Sequence, residues 1–187
     1  MKFLICGLGN VGAEYKHTRH NIGFMVLDRL AEKAGVSFDL SRLAFYAEVK
    51  IKGRTLILIK PTTFMNLSGK AYSYWMKTSG LEESQTLVVT DDLALPFGKL
   101  RIKAKGTHGG HNGLRNIQEI TDSSVYPRMR MGIGDEFSKG HQVDYVLGEF
   151  SKENQKELDA YIDRAVEAIL AFTTIGLERT MNTYNTK

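Results

Sequence analysis

The chain has 187 residues, with 25 Lys and Arg against 21 Asp and Glu for a formal charge of +4, 42% hydrophobic residues and three prolines. This length can bury a core without staples, and the composition excludes a disordered or collagen-like chain, so one domain over 1–187 is expected. Cys6 is the single cysteine, which excludes an internal disulfide and a cysteine-based zinc site and points to a reducing, cytoplasmic setting; no apolar run reaches the roughly 18 residues of a membrane span, and the start does not read as a signal peptide.

Lys2 to Cys6 reads as the first strand, broken by Gly7-Leu8-Gly9-Asn10-Val11-Gly12. Asn21 to Ala34 fits a helix, with Ile22, Met25, Leu30 and Ala34 on its inner face, Asn21 as a candidate cap and Gly35 as its stop. Phe45 to Lys52 and Arg54 to Lys60 flank Gly53 as a hairpin closed by Pro61. Leu67 to Ser79 is predicted helical, with Ala71, Tyr72, Trp75 and Met76 as its packing stripe and Asn66 as a candidate N-cap. Thr86 to Thr90 has the apolar, β-branched character of a central strand. Lys99 to Lys105 and Arg128 to Ile133 alternate as strands, Leu114 to Ile120 forms a short helix, and Lys152 to Thr174 forms a long one with Leu158, Ile162, Ala165, Ile169 and Phe172 as its stripe. Interleaved strands and helices with one hairpin predict an α/β fold: a twisted mixed sheet with helices on both faces. Turn residues after Cys6, Lys60, Thr90 and Lys105 are then expected at one rim, where such folds place their sites.

Several constellations carry chemistry. The first glycine loop matches G-x-G-x-x-G after a strand, but the polar stretch Ala13 to His20 lacks the amphipathic helix that would face a pyrophosphate. His20 at a helix start is a candidate base or a solvated neighbour, and Asp91, in Thr90-Asp91-Asp92 at a strand end, is a candidate site carboxylate or a turn cap. Gly106-Thr107-His108-Gly109-Gly110-His111-Asn112-Gly113 would let a ligand approach the backbone and present free helix N–H groups; His108 and His111 with Asp91 form a thin metal set, and no metal is expected. Lys99, Arg101, Lys103 and Lys105 fall on one strand face, and Arg128 and Arg130 repeat the pattern. Like charges so placed repel, and a phosphate backbone would relieve them, which favours an RNA-binding stripe over a merely solvated face.

Taken in order, these stretches resemble one family, the bacterial peptidyl-tRNA hydrolases. The resemblance rests on Gly7 to Tyr15, Thr18-Arg19-His20-Asn21-Ile22-Gly23, Lys60-Pro61-Thr62-Thr63-Phe64-Met65-Asn66-Leu67-Ser68-Gly69, Asp91-Asp92-Leu93-Ala94-Leu95-Pro96, Gly109-Gly110-His111-Asn112-Gly113-Leu114 and Arg128-Met129-Arg130-Met131-Gly132-Ile133-Gly134. It implies cleavage of the ester between a peptide and the 3′ end of tRNA, with His20 as general base and Asp91 as its orienting partner. It implies Asn10, Asn66 and Asn112 as amides lining the cleft, Tyr15, Phe64, Met65 and His111 as its walls, and Lys103 and Arg130 as phosphate contacts; it would allow a lid over Gln142 to Glu149, which the sequence leaves open. Peptidyl-tRNA is the implied partner, with no cofactor, no membrane, no protein partner and a monomeric state. The chain departs from the family pattern at Val11, Thr90, Ala94 and Asp135-Glu136, where Pro, His, an acidic residue and a His-Pro or Arg-Pro pair are common.

The residues suit that chemistry. No G-x-S-x-G elbow is present and Cys6 lies in an apolar strand, so water is the simplest attacker. A neutral histidine can take its proton, and a carboxylate on the other ring nitrogen sets the tautomer. The rival reading is a non-catalytic RNA-binding protein on the same fold, such as the relatives that assist intron splicing; it expects loss or burial of His20 or Asp91. A dinucleotide enzyme is a distant third.

Overall fold

The computed structural model describes residues 1–185. A seven-stranded mixed sheet runs through it in the order β2-β3-β4-β1-β5-β7-β6. Its centre is four parallel strands: β4 (Arg54–Pro61), β1 (Lys2–Gly7), β5 (Thr86–Asp92) and β7 (Arg128–Gly132). The expected hairpin is present, β3 (Ala44–Ile51) pairing antiparallel with β4, and β2 (Asp39–Leu40) extends that edge. At the other edge β6 (Leu100–Lys103) runs antiparallel to β7, with Arg101 opposite Arg130 and Lys103 opposite Arg128. The sequence places the chain after Lys105 at the same rim as the other turns. Because β6 is antiparallel, its end lies instead at the opposite rim, and the glycine-rich segment must travel back along the sheet to reach His111.

Strand alternation splits the core into two layers. Phe3, Ile5, Leu56, Leu58, Leu87 and Val89 pack with α1 (Ile22–Ala34) and α5 (Lys152–Ile175). Leu4, Cys6, Ile57, Ile59 and Val88 pack with α2 (Ser68–Thr78) and α3 (Asn112–Thr121). Helices therefore cover both faces, and the stripes on α1, α2 and α5 are the buried ones, except that Met25, Ala34, Trp75 and Leu158 are only partly covered or exposed. Two short helices escaped the periodicity: α4 (Gln142–Val146) and α6 (Leu177–Tyr184), which follows α5 after Gly176.

The parallel strands end together at one rim, and the first glycine loop leaves β1 there. No α-helix begins at Gly12; the chain makes 3₁₀ turns over Ala13–Tyr15 and Arg19–Asn21 before α1. The dinucleotide reading is overturned, since the N-terminus it requires is not formed at that place. The glycines serve packing: a Cβ on Gly7 would sit 2.4 Å from the carbonyl oxygen of Gly23, and one on Gly23 would sit 2.5 Å from that of Val89. Only glycine at these positions lets α1 close onto β1 and β5, and that closure brings His20 to the end of β5.

Candidate active site

Asp91 is the focus of the rim. Its side chain is 2% exposed, yet it carries two imidazoles: His20 Nδ1 lies 2.8 Å from Oδ2 and His111 Nε2 lies 2.8 Å from Oδ1. The protons on these rings follow from the remaining contacts. His111 is the N-cap of α3, and its Nδ1 accepts from the backbone N–H of Gly113 at 3.0 Å and of Leu114 at 3.4 Å. That nitrogen is therefore bare, so Nε2 bears the proton and donates it to Asp91, with Thr90 Oγ1 also at 2.8 Å. By the same logic His20 donates from Nδ1, and its Nε2 keeps a free lone pair. The expectation that the glycine-rich loop presents free helix N–H groups is corrected here, because His111 takes two of them and His108 Nδ1 takes that of Gly110 at 2.9 Å.

The electrostatics match this geometry. Burial pulls His20 toward its neutral form, but the charge and hydrogen bond of Asp91 outweigh it, and the pKa lies above the usual imidazole value. Burial alone would raise Asp91; the two histidines reverse this and hold it far below the usual carboxylate range. His20, Asp91 and His111 are also the residues that could hold a metal, with one ligand atom from each within 4.8 Å of the others. Their converging nitrogens carry the protons of the two hydrogen bonds, so a cation there would have to displace both. His108, which the sequence groups with His111, turns to its own loop instead.

A pocket of about 420 Å³ opens beside this group. His20, Asp91, His111, Asn112 and Arg130 line it together with Asp92, Phe137 and the α4 residues Gln142, Val143 and Val146. Asn112 is exposed; its Oδ1 accepts from Arg115 at 3.2 Å, which turns the amide N–H₂ outward. The other expected residues, Asn10, Tyr15, Phe64, Met65 and Asn66, are not among those that line this pocket. The backbone N–H of Met65 donates to Asn10 Oδ1 at 2.7 Å, and Met65 lies beneath Gly113, whose added Cβ would meet Sδ at 2.7 Å. Tyr15 and exposed Phe64 meet edge to face at 6.4 Å, and Phe64 holds φ 61°, a strained backbone for a non-glycine residue. Asn66 is exposed, and it is not the cap of α2: Leu67 holds that position without a side-chain bond. Asn21 also fails as a capping side chain. Its amide instead brackets the first loop, accepting from Asn10 N at 2.8 Å and donating to Asn10 O at 2.9 Å.

The basic stripe divides. Lys103 is exposed. Arg130 Nε stands 2.8 Å from Asp92 Oδ2, an ion pair without the angle of a hydrogen bond. Arg128 is 1% exposed and lies under the glycine-rich segment, donating to the carbonyls of Gly106, Ser124 and Tyr126 at 2.7 to 3.2 Å, with its guanidinium over the Tyr126 ring. Arg128 is thus a pillar of the loop that carries His111 rather than an RNA contact. The two-residue period gave its face but not its cover.

The sequence model described as Peptidyl-tRNA hydrolase matches residues 4–187. A peptidyl-tRNA hydrolase of Cytophaga hutchinsonii is 61% identical over 187 residues, the whole of both chains. One of Porphyromonas gingivalis is 53% identical over 185 residues, 99% of this chain and 100% of the other. The crystal structure of the Acinetobacter baumannii peptidyl-tRNA hydrolase superposes with a TM-score of 0.92 at 34% identity, over 98% of this chain and 94% of that one. The family model spans nearly the whole chain and the relatives align with it from end to end: the chain belongs to the peptidyl-tRNA hydrolase family.

Proposed function

We propose that this chain hydrolyses the ester joining a peptide to the 3′ end of tRNA, using water activated by His20. The observation that carries the reading is the 2.8 Å contact of His20 Nδ1 with buried Asp91, which leaves Nε2 as a lone pair at the pocket. A water beside Nε2 attacks the ester carbonyl as its proton passes to the ring, and Asp91 stabilises the imidazolium. The outward amide of Asn112 can donate to the carbonyl oxygen as charge develops there. On collapse the C–O bond to the ribose breaks, and the imidazolium returns its proton to the departing 3′ oxygen. The products are a peptide carboxylate and tRNA with a free 3′ hydroxyl.

The amides of Asn10 and Asn66 supply selectivity by pairing with the peptide bond that replaces the α-ammonium of a free aminoacyl-tRNA, whose charge would be poorly solvated there. Lys103 and Arg130 hold backbone phosphate. The enzyme acts as a monomer in the cytoplasm, needs no metal or cofactor, and returns tRNA from prematurely released peptidyl-tRNA to use.

Incubation of the purified protein with N-acetyl-aminoacyl-tRNA, with a chelator present, should release free tRNA, while free aminoacyl-tRNA should survive. Binding without release would establish the non-catalytic RNA-binding reading instead, and equal rates on the two substrates would refute the selectivity assigned to Asn10 and Asn66.

A further inference from the structure

The α4 wall of the pocket belongs to a segment that is fastened at both ends. On its N-terminal side, Gly134 and Gly140 adopt φ 77° and 88°. Gly134 N donates to Leu95 O at 2.9 Å and Tyr145 Oη donates to Ile133 O at 2.7 Å, while the bonds from Phe137 N to Asp135 O and from His141 N to Ser138 O stay within the segment. On its C-terminal side the segment is fastened to the 3₁₀ turn that carries His20. Thr18 bridges Glu149, and the backbone N–H of Arg19 donates to Gly148 O at 2.9 Å.

The side chain of Arg19 completes this attachment. Its Nη1 donates to Tyr145 O at 2.8 Å, at the end of α4, and its guanidinium lies 3.9 Å from the centre of the Tyr145 ring. A planar cation on an aromatic face with a simultaneous carbonyl bond is a geometry that lysine cannot reproduce. A Cβ on Gly148 would come within 3.1 Å of Nη1, so the absence of a side chain there makes room for the guanidinium. Arg19 Nε is buried with no hydrogen-bond partner among the described residues. The guanidinium is thus held in place by Tyr145 rather than by full satisfaction of its own donors.

We infer that Arg19 is a positioning residue: it locks α4 to the turn of His20, so that the wall of the pocket and the base are set as one unit. The inference rests on the hydrolase reading for its catalytic consequence, but not for the attachment itself.

Two measurements on the full chain test this. In Arg19→Met, the amides of Tyr145, Leu147 and Gly148 should exchange with solvent at least tenfold faster than in the parent, while those of β5 should be unchanged. On N-acetyl-aminoacyl-tRNA, KM should rise and kcat should fall, each severalfold, and Arg19→Lys should restore neither. Gly148→Ala, whose Cβ would crowd both Nη1 and the Asp144 carbonyl at 3.1 Å, should loosen the same attachment and serves if the arginine variant does not fold. Unchanged exchange over 145–148 would overturn the attachment. Faster exchange with unchanged kcat would overturn the link to His20. If the parent chain itself releases no tRNA, the hydrolase reading and the catalytic link fail together, whereas the exchange result still decides whether Arg19 holds the wall.

Discussion

Asp91 and Asp92 are adjacent in the chain and nearly equally buried, but they sit in opposite electrostatic surroundings. Their side chains leave β5 on opposite faces. Asp91 meets two imidazoles, each with a ring nitrogen 2.8 Å from one of its oxygens. Asp92 meets a permanent cation, Arg130, and the backbone N–H of Ala94 at 2.9 Å. The consequence is chemical. The charge of Asp91 favours a proton on His20, and on the proposed reading it therefore favours the step in which that proton moves. The charge of Asp92 is already offset, so it cannot reward proton transfer and serves instead to aim a guanidinium. A carboxylate at a strand end becomes catalytic or structural according to whether its partner's charge is conditional or fixed.

The largest effect should come from breaking the conditional side. His20→Ala should reduce turnover by about a thousandfold, within the range of lost general-base catalysis, with tRNA affinity retained. The pH profile sharpens the contrast. Asp91 holds the pKa of His20 above the usual imidazole value, and only the neutral ring accepts a proton. Turnover in the parent should therefore rise with pH through a midpoint above the ordinary value. Asp91→Asn should lower both the plateau and that midpoint, whereas Asp92→Asn should leave the midpoint in place; a profile indifferent to Asp91→Asn would break the comparison. Stability should move in the opposite sense. The contribution of His20 is complete below its unfolded pKa and is lost as pH rises through the raised folded value, and that of Asp91 is lost only in strong acid, as pH falls through its depressed value.

Next in size is Arg128, the fixed charge furthest from solvent. Arg128→Met removes a buried donor from the carbonyls of Gly106, Ser124 and Tyr126. A loss of roughly 3 kcal/mol in urea unfolding is expected, since hydrogen bonds to a buried charge are among the costly ones to break. The damage should spread to the loop before His111 and so to one side of Asp91. A change below roughly 0.5 kcal/mol, the scale of a surface substitution, would return Arg128 to the solvated stripe.

That residue also marks where reading from sequence stopped. Periodicity found the hairpin, α1, α2 and α5, because each buries one face over enough residues to show it, and β1 and β5 showed as short apolar runs because both of their faces are buried. It missed α4, which spans five residues with none buried, and α6, whose buried positions reduce to Thr180. Alternation placed Arg128 and Arg130 on one face but could not show that a returning loop covers the first and a carboxylate pairs the second, since both partners are distant in the chain. Asn21 and Asn66 sit where caps are common, and local preference was outweighed by tertiary demand at Asn21. His20 and Asp91 are separated by 71 positions; their meeting was implied only by family resemblance, and no spacing rule could have supplied it. Arg19 had no local signal, because its meaning depends on Tyr145 and Gly148 arriving from the far end of the chain.

The smallest predicted effect separates the two phosphate candidates. Lys103 has no ion-pair partner among the described residues, so a phosphate that binds it releases a counterion. Lys103→Ala should then weaken tRNA binding and reduce the slope of log affinity against log salt by about one unit. Arg130 is already balanced by Asp92. A phosphate that binds it exchanges one anion for another within the protein's own field, and little counterion is released. Arg130→Ala should therefore change the salt slope by well under one unit, yet it should raise KM at least as much as Lys103→Ala does, because it leaves the Asp92 charge bare at the edge of the pocket. Arg130→Ala combined with Asp92→Asn should recover part of that KM. Equal slopes for the two single variants would mean that Asp92 lets go of Arg130 before tRNA arrives, and the fixed side of the comparison would then be conditional as well.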